Sequence, residues 1–142
     1  MKTSSKGIEL IKKHEGLSLT AYLCPAKVLT IGYGHTGGVK SGDVITEAQA
    51  EEFLRADLNN AEQAIIRERL NINQNQFDAL VSFVFNVGIG SFQKSTLLKV
   101  IKANSMDARI RMEFSRWVYA KQKVLAGLVL RRKEEADLYF QK

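Results

Sequence analysis

The sequence is poor in cysteine, with Cys24 alone among 142 residues. A single thiol excludes an internal disulfide framework and is typical of a chain made in a reducing cytoplasm. No apolar stretch of the length of a signal-peptide core follows the basic N-terminal residues, because Glu9, Lys12 and Lys13 interrupt the pattern. We therefore predict neither a signal peptide nor a membrane span.

Acidic residues are fewer than basic ones, 15 against 21, which gives a formal net charge of +6. A basic surface attracts polyanions such as bacterial cell walls or nucleic acids. For nucleic acids, however, the sequence has no zinc-ligand spacing, no aromatic RNA-binding signature and no helix-turn-helix pattern. The basic run 131–133 is followed by Glu134 and Glu135, which favours a solvated helix face over a binding stripe. We expect no nucleic-acid partner.

Cofactor motifs in a suitable context are also missing. Residues 32–37 satisfy the glycine pattern of dinucleotide-binding folds, but no long apolar helix and no βαβ unit accompany them. These glycines better suit a close backbone approach and a tight reversal at a strand end. We predict no cofactor and no metal.

The patterns that are present predict one mostly helical α+β domain. Apolar spacing and capping residues indicate the following elements: a helix at 5–15, a small sheet at 19–39, a long linking helix from the capping box Thr46–Gln49 to about residue 69, a central helix opened by Asn73 and Gln76 and ended by Gly88 and Gly90, and helices near 94–103, 106–120 and 128–140. The long helix should join two lobes.

Glu15 stands at the end of the first predicted helix, before Gly16 at the position of a C-cap glycine. It shares a helix face with Ile8 and Ile11, on or beside the buried stripe. Burial and the partial negative charge of a helix C-terminus both favour a protonated carboxyl, which suits a general acid. A helix-end Glu that simply reaches to water is the alternative from the helix alone.

The next segment reads as two short strands around a turn, with Pro25 in the turn. Cys24 would lie at the hairpin tip, accessible to solvent, and Thr30 at the start of the returning strand, where its hydroxyl can hold a water. Taken singly, Cys24 could be a gap-filling residue and Thr30 an ordinary strand former.

Together the three residues resemble the signature of the phage-type lysozymes, glycoside hydrolase family 24, in which eight residues separate a Glu from an Asp or Cys and five more precede a Thr. Residues 45–51, 77–88 and 127–136 continue the resemblance almost to the end of the chain. It implies a single lysozyme domain with an N-lobe at 1–57, a C-lobe at 58–142 and an active-site cleft between them.

The resemblance implies hydrolysis of the β-1,4 bond between N-acetylmuramic acid and N-acetylglucosamine in peptidoglycan. Glu15 would donate a proton to the departing oxygen and Thr30 would orient the attacking water. Cys24 would act as a base, or as a thiolate that stabilises or attacks the anomeric carbon. The protein would be a monomeric endolysin held in the host cytoplasm until a holin opens the membrane, and would then cause lysis.

The resemblance also implies saccharide-binding residues, each matched at its own position. Gly34, Phe85 and Ser95 match positions that line the family's saccharide groove, although Phe85 also continues an apolar stripe and suits the core.

Supporting contacts are implied as well. Arg131, with Arg132 as a near-equal alternative, resembles the arginine that pairs with the catalytic Glu, and His35 and Asp57 correspond to an interlobe ion pair.

Two segments depart from the family pattern. Lys121 and Gln122 stand where many relatives have a Gly-Gly turn, and residues 109–112 are more basic than usual. These departures leave open a lysozyme-fold protein that binds cell-wall glycan without cutting it.

Overall fold

A computed structural model describes residues 1–142. In chain order its elements are α1 (Ser5–Glu15), β1 (Ser18–Leu23), β2 (Leu29–Gly32), α2 (Glu47–Arg67), α3 (Gln74–Val87), α4 (Ile89–Lys94), α5 (Thr96–Ala103), α6 (Arg109–Ser115), β3 (Tyr119–Ala120), β4 (Lys123–Val124) and α7 (Ala126–Tyr139). The protein is mostly helical with two small two-stranded sheets, which confirms the predicted α+β class. None of the helices combines the length and the apolar character needed to cross a membrane.

The chain forms two compact units, one of residues 12–59 and one of residues 1–11 with 60–142. The first eleven residues thus belong with the C-terminal helices, whereas the sequence placed them in an N-lobe of residues 1–57. Local contacts explain this: the backbone N–H of Thr3 donates to Glu62 at 2.8 Å, and that of Ser4 donates to Asp78 at 3.0 Å. Both carboxylates are buried and accept from N–H groups that the start of α1 cannot satisfy internally.

In the smaller unit, β1 and β2 pair antiparallel with Tyr22 opposite Thr30. The sheet is shorter than predicted, because the chain turns away after β2, and Val44 pairs with Thr20 instead. Gly16 ends α1 with φ +73° and donates its N–H to Lys12 O at 3.0 Å, so the predicted C-cap is confirmed.

In the larger unit, α3 supplies the centre of the core. Its start is the predicted capping box of Asn73 and Gln76, and every residue from Gln76 to Val84 is buried. The Phe83 ring forms T-shaped contacts with Phe114 and Trp117 at centroid distances of 5.5 and 5.6 Å. A central helix with several apolar faces was therefore a correct prediction.

The segment after α5 differs most from the predicted elements. The predicted helix at 106–120 ends at Ser115, and a hairpin follows in which Tyr119 pairs with Val124. The two residues at its tip, Lys121 and Gln122, have φ values of 50° and 68°. A two-residue turn with both φ angles positive is the type I′ turn, which favours Asn and Gly. Lys and Gln give no local signal for that turn, which only the Gly-Gly pattern of relatives indicated.

Replacing Gln122 by Gly should stabilise the protein by up to about 1 kcal/mol, because an L-residue in the left-handed region costs on the order of 1–2 kcal/mol and glycine does not. Ala120→Gly is the matched control, since Ala120 lies in β3 outside the positive-φ region. It should lose stability. Urea unfolding followed by circular dichroism measures both, and a destabilised Gln122→Gly protein would contradict the strain argument.

Candidate active site

The Glu15 carboxyl lies beside a bare stretch of backbone. Glu15 is the last residue of α1 and is half-buried. Gly34, whose φ angle is +91°, lies against its carboxyl. A Cβ atom added to Gly34 would lie 3.5 Å from Glu15 Oε1, in van der Waals contact with the carboxyl. The structure therefore brings together two of the residues that the sequence singled out.

Gly34 belongs to a tight reversal that follows β2. Ile31 and His35 exchange two backbone hydrogen bonds, of 2.9 and 2.8 Å, across the three residues between them. Gly32 and Gly34 both have positive φ angles there, which glycine adopts without steric cost. The predicted use of these glycines in a backbone reversal is confirmed.

Cys24 and Thr30 flank the β1–β2 turn. The N–H of Cys24 donates to Val28 O at 3.0 Å, and the N–H of Lys27 donates to Cys24 O at 2.8 Å. Cys24 is partly exposed, whereas Thr30 is buried at 4% relative exposure. The turn thus holds Cys24 at the tip of the hairpin, as the sequence predicted.

Hydrogen bonds at this turn lower the pKa of the Cys24 thiol from its ordinary value. The largest cause is the backbone N–H of Val28; desolvation opposes the shift, and hydrogen bonds from Ala26 N–H and the Thr30 hydroxyl add to it. The Thr30 hydroxyl also donates to Val28 O at 2.9 Å. Since a hydroxyl carries one proton, Cys24 and Val28 compete for it, while the oxygen lone pairs can still accept from water.

His35 and Asp57 form a close pair: His35 Nδ1 lies 2.8 Å from Asp57 Oδ2. The other ring nitrogen, Nε2, lies 2.8 Å from Gly37 O. Both residues lie in the unit of residues 12–59, so the pair is a contact within one compact unit, and its predicted interlobe position was wrong.

The other predicted groove residues have local roles of their own. Ser95 is buried at the N-cap of α5, where its hydroxyl accepts from Leu98 N at 3.1 Å and donates to Phe92 O at 2.7 Å. Phe85 is half-buried, in contrast to the fully buried stretch that precedes it in α3. Saccharide contacts of either residue stay predictions.

The basic run of α7 is solvated only at Lys133, so the prediction of a solvated face was wrong for Arg131 and Arg132. Arg131 and Arg132 are 4% and 1% exposed, and their guanidinium groups both contact Glu135, which is fully buried. Burial is the main cause that raises the pKa of Glu135, and Arg132 and Ser82 act against it. The spacing of three and four residues between the arginines and Glu135 was the signal that could have indicated this network. Pairing of Arg131 with Glu15 stays a prediction.

Comparison with known proteins places this chain in a family. It matches the phage lysozyme family over residues 12–135. It is 43% identical to an endolysin of Acyrthosiphon pisum secondary endosymbiont phage 1, over 98% of both chains. It is 44% identical to an endolysin of Bacillus phage PZA, where 98% of this chain matches 55% of a longer protein. A P22 lysozyme mutant superposes with a TM-score of 0.91 at 37% identity, over 99% of each chain.

The chain therefore belongs to the phage lysozyme family, and its fold is the lysozyme-like fold that the sequence predicted. The predicted function, an endolysin with lysozyme activity that hydrolyses peptidoglycan, is confirmed, and cell lysis is its expected role.

Proposed function

We propose that the protein is an N-acetylmuramidase, which cleaves the β-1,4 bond between N-acetylmuramic acid and N-acetylglucosamine. The observation that carries this proposal is the half-buried Glu15 carboxyl beside the side-chain-free Gly34. Bare backbone lets a sugar ring approach the carboxyl, which then protonates the departing glycosidic oxygen.

Cys24 and Thr30 act on the attacking water or at the anomeric carbon. The Thr30 oxygen accepts a hydrogen bond from the attacking water and thereby orients it. The Cys24 thiolate, favoured by the N–H of Val28, either removes a proton from that water or stabilises or attacks the anomeric carbon. The alternatives differ in product configuration, since a covalent intermediate leads to retention and direct attack by water to inversion.

The biological setting follows from the family. We propose a monomer that accumulates in the host cytoplasm and reaches the cell wall when a holin opens the membrane. Its net charge of +6 favours association with the anionic wall once it arrives.

The bond specificity is tested by digesting purified sacculi, reducing the products with borohydride and identifying the reducing ends by mass spectrometry. We expect N-acetylmuramitol ends. N-acetylglucosaminitol ends, or anhydro-muramic ends, would contradict the proposal. Binding to sacculi without new ends would favour the alternative of a glycan-binding protein with the lysozyme fold.

A further inference from the structure

The reversal at residues 31–35, here called the glycine turn, connects two parts of the candidate site. Thr30 immediately precedes it, and Gly34, within it, lies against the Glu15 carboxyl. Two hydrogen bonds between Ile31 and His35 close the turn, but they do not fix where it lies relative to Glu15. That placement depends on what packs against it.

One face of α2 contacts both ends of the glycine turn. A Cβ atom added to Gly32 would lie 3.4 Å from Ala50 Cβ, and the His35 ring stacks on Phe53 with a centroid distance of 4.3 Å and an interplanar angle of 15°. Asp57 contacts the same ring at Nδ1. Ala50, Phe53 and Asp57 are separated by three and four positions, so they share one helix face.

The middle of the turn is held from α1. The Lys12 ammonium lies 5.6 Å from the centre of the Tyr33 ring and forms an ion pair with Glu51 of α2. The turn is therefore in contact with α2 and with the C-terminal end of α1, where Glu15 lies.

The stacked ring adds a packing contact to the two hydrogen-bond contacts of His35. Contacts at Nδ1 and Nε2, together with the covalent bond to Cβ, orient the imidazole, and the Phe53 ring lies against one of its faces. A flat aromatic face packed there resists displacement of the whole imidazole, because movement toward Phe53 would force the rings into each other and movement away would lose the stacking contact. Phe53 thus helps to fix the position of the ring, and with it the end of the glycine turn.

We propose that Phe53 is a positioning residue for Glu15: by stacking on His35 it fixes the glycine turn and hence the gap between Gly34 and the Glu15 carboxyl. The inference rests on the proposed function, in which that gap receives the sugar. Phe53 does not touch the reacting atoms. Its effect on the reaction is transmitted through His35 and the backbone of the turn.

The test compares Phe53→Leu, which keeps an apolar side chain but removes the flat ring, with Phe53→Tyr, which retains it. A displacement of about 1 Å can cost on the order of a hundredfold in rate, so we expect kcat of Phe53→Leu to fall by about tenfold or more while KM changes by less than about threefold. Phe53→Tyr should retain a kcat within about threefold of the wild-type value. Soluble uncrosslinked peptidoglycan strands are the substrate.

Val100→Ala is the matched control for general destabilisation. Val100 is a buried residue of α5 in the other compact unit, so its truncation costs stability without touching the turn. A similar kcat loss in Val100→Ala and Phe53→Leu at equal fraction folded would overturn the proposal, as would an unchanged kcat in Phe53→Leu.

Amide NMR tests the placement of the glycine turn without an activity measurement. In Phe53→Leu the amide signals of Thr30 and Gly34 should shift, and in Val100→Ala they should stay at their wild-type positions. Unchanged Thr30 and Gly34 signals in Phe53→Leu would overturn the proposal even if kcat fell. Absence of cleavage by the wild type would instead contradict the proposed function, and the amide shifts would still decide the role of Phe53.

Discussion

Glu15→Gln should reduce peptidoglycan hydrolysis by at least about a thousandfold, within the range that general acid catalysis contributes, while the protein stays folded. Glutamine retains the size and shape of the side chain beside Gly34 but has no acidic proton to give to the departing oxygen. Release of soluble fragments from dye-labelled sacculi measures the rate, and the circular dichroism melting curve reports folding.

Glu9→Gln is the matched control, because Glu9 is an exposed carboxyl on the same helix. It should hydrolyse sacculi at close to the wild-type rate. A folded Glu15→Gln protein with wild-type activity would show that another group donates the proton.

Cys24→Ala should lose most of its activity, whereas Cys24→Asp should retain a substantial part of it. Aspartate supplies a carboxylate that can act as a base or nucleophile at the same hairpin position, and alanine supplies neither. The comparison uses the same sacculus assay. If Cys24→Ala cleaves at the parental rate, Cys24 is a packing residue and the catalytic assignment fails.

The rate at which iodoacetamide alkylates Cys24 should depend on pH. The thiolate is the reactive form, so the rate of inactivation by iodoacetamide should rise with pH as the thiol loses its proton. Because hydrogen bonding lowers the pKa of this thiol, the pH at which the rate is half-maximal should lie below the ordinary pKa of a free thiol. Cys24→Asp, which has no other cysteine, should resist the reagent. A midpoint above the ordinary value would contradict the arrangement around the sulfur.

The sequence predicts those elements whose signals are local. The bounds of α1 and the capping boxes at Thr46 and Asn73 are confirmed, since each depends on residues within one helical turn. Propensity did not predict the hairpin at 119–124, because its positive φ angles occur at Lys121 and Gln122, residues that do not favour them, and only the Gly-Gly turn of relatives indicated a turn there. Here the surrounding structure decides the conformation, and residue propensity does not.

The same distinction holds for the candidate site. Glu15, Cys24 and Thr30 were found from their spacing, which a family signature made recognisable. Phe53 was not found, because its contact with His35 depends on how α2 packs against the glycine turn. Burial of Arg131 was likewise not predicted, since charged residues are seldom inside unless a partner compensates them.

The division of the chain has a consequence for its synthesis. Residues 12–59 separate, along the chain, residues 1–11 from residues 60–142 of the larger unit. During translation Ser4 therefore emerges before its partner Asp78, which follows 74 residues later. At about 5–20 residues per second this interval lasts several seconds. By then the smaller unit has been synthesised in full, with its two strands and both residues of the His35–Asp57 pair, whereas the larger unit still lacks most of its helices.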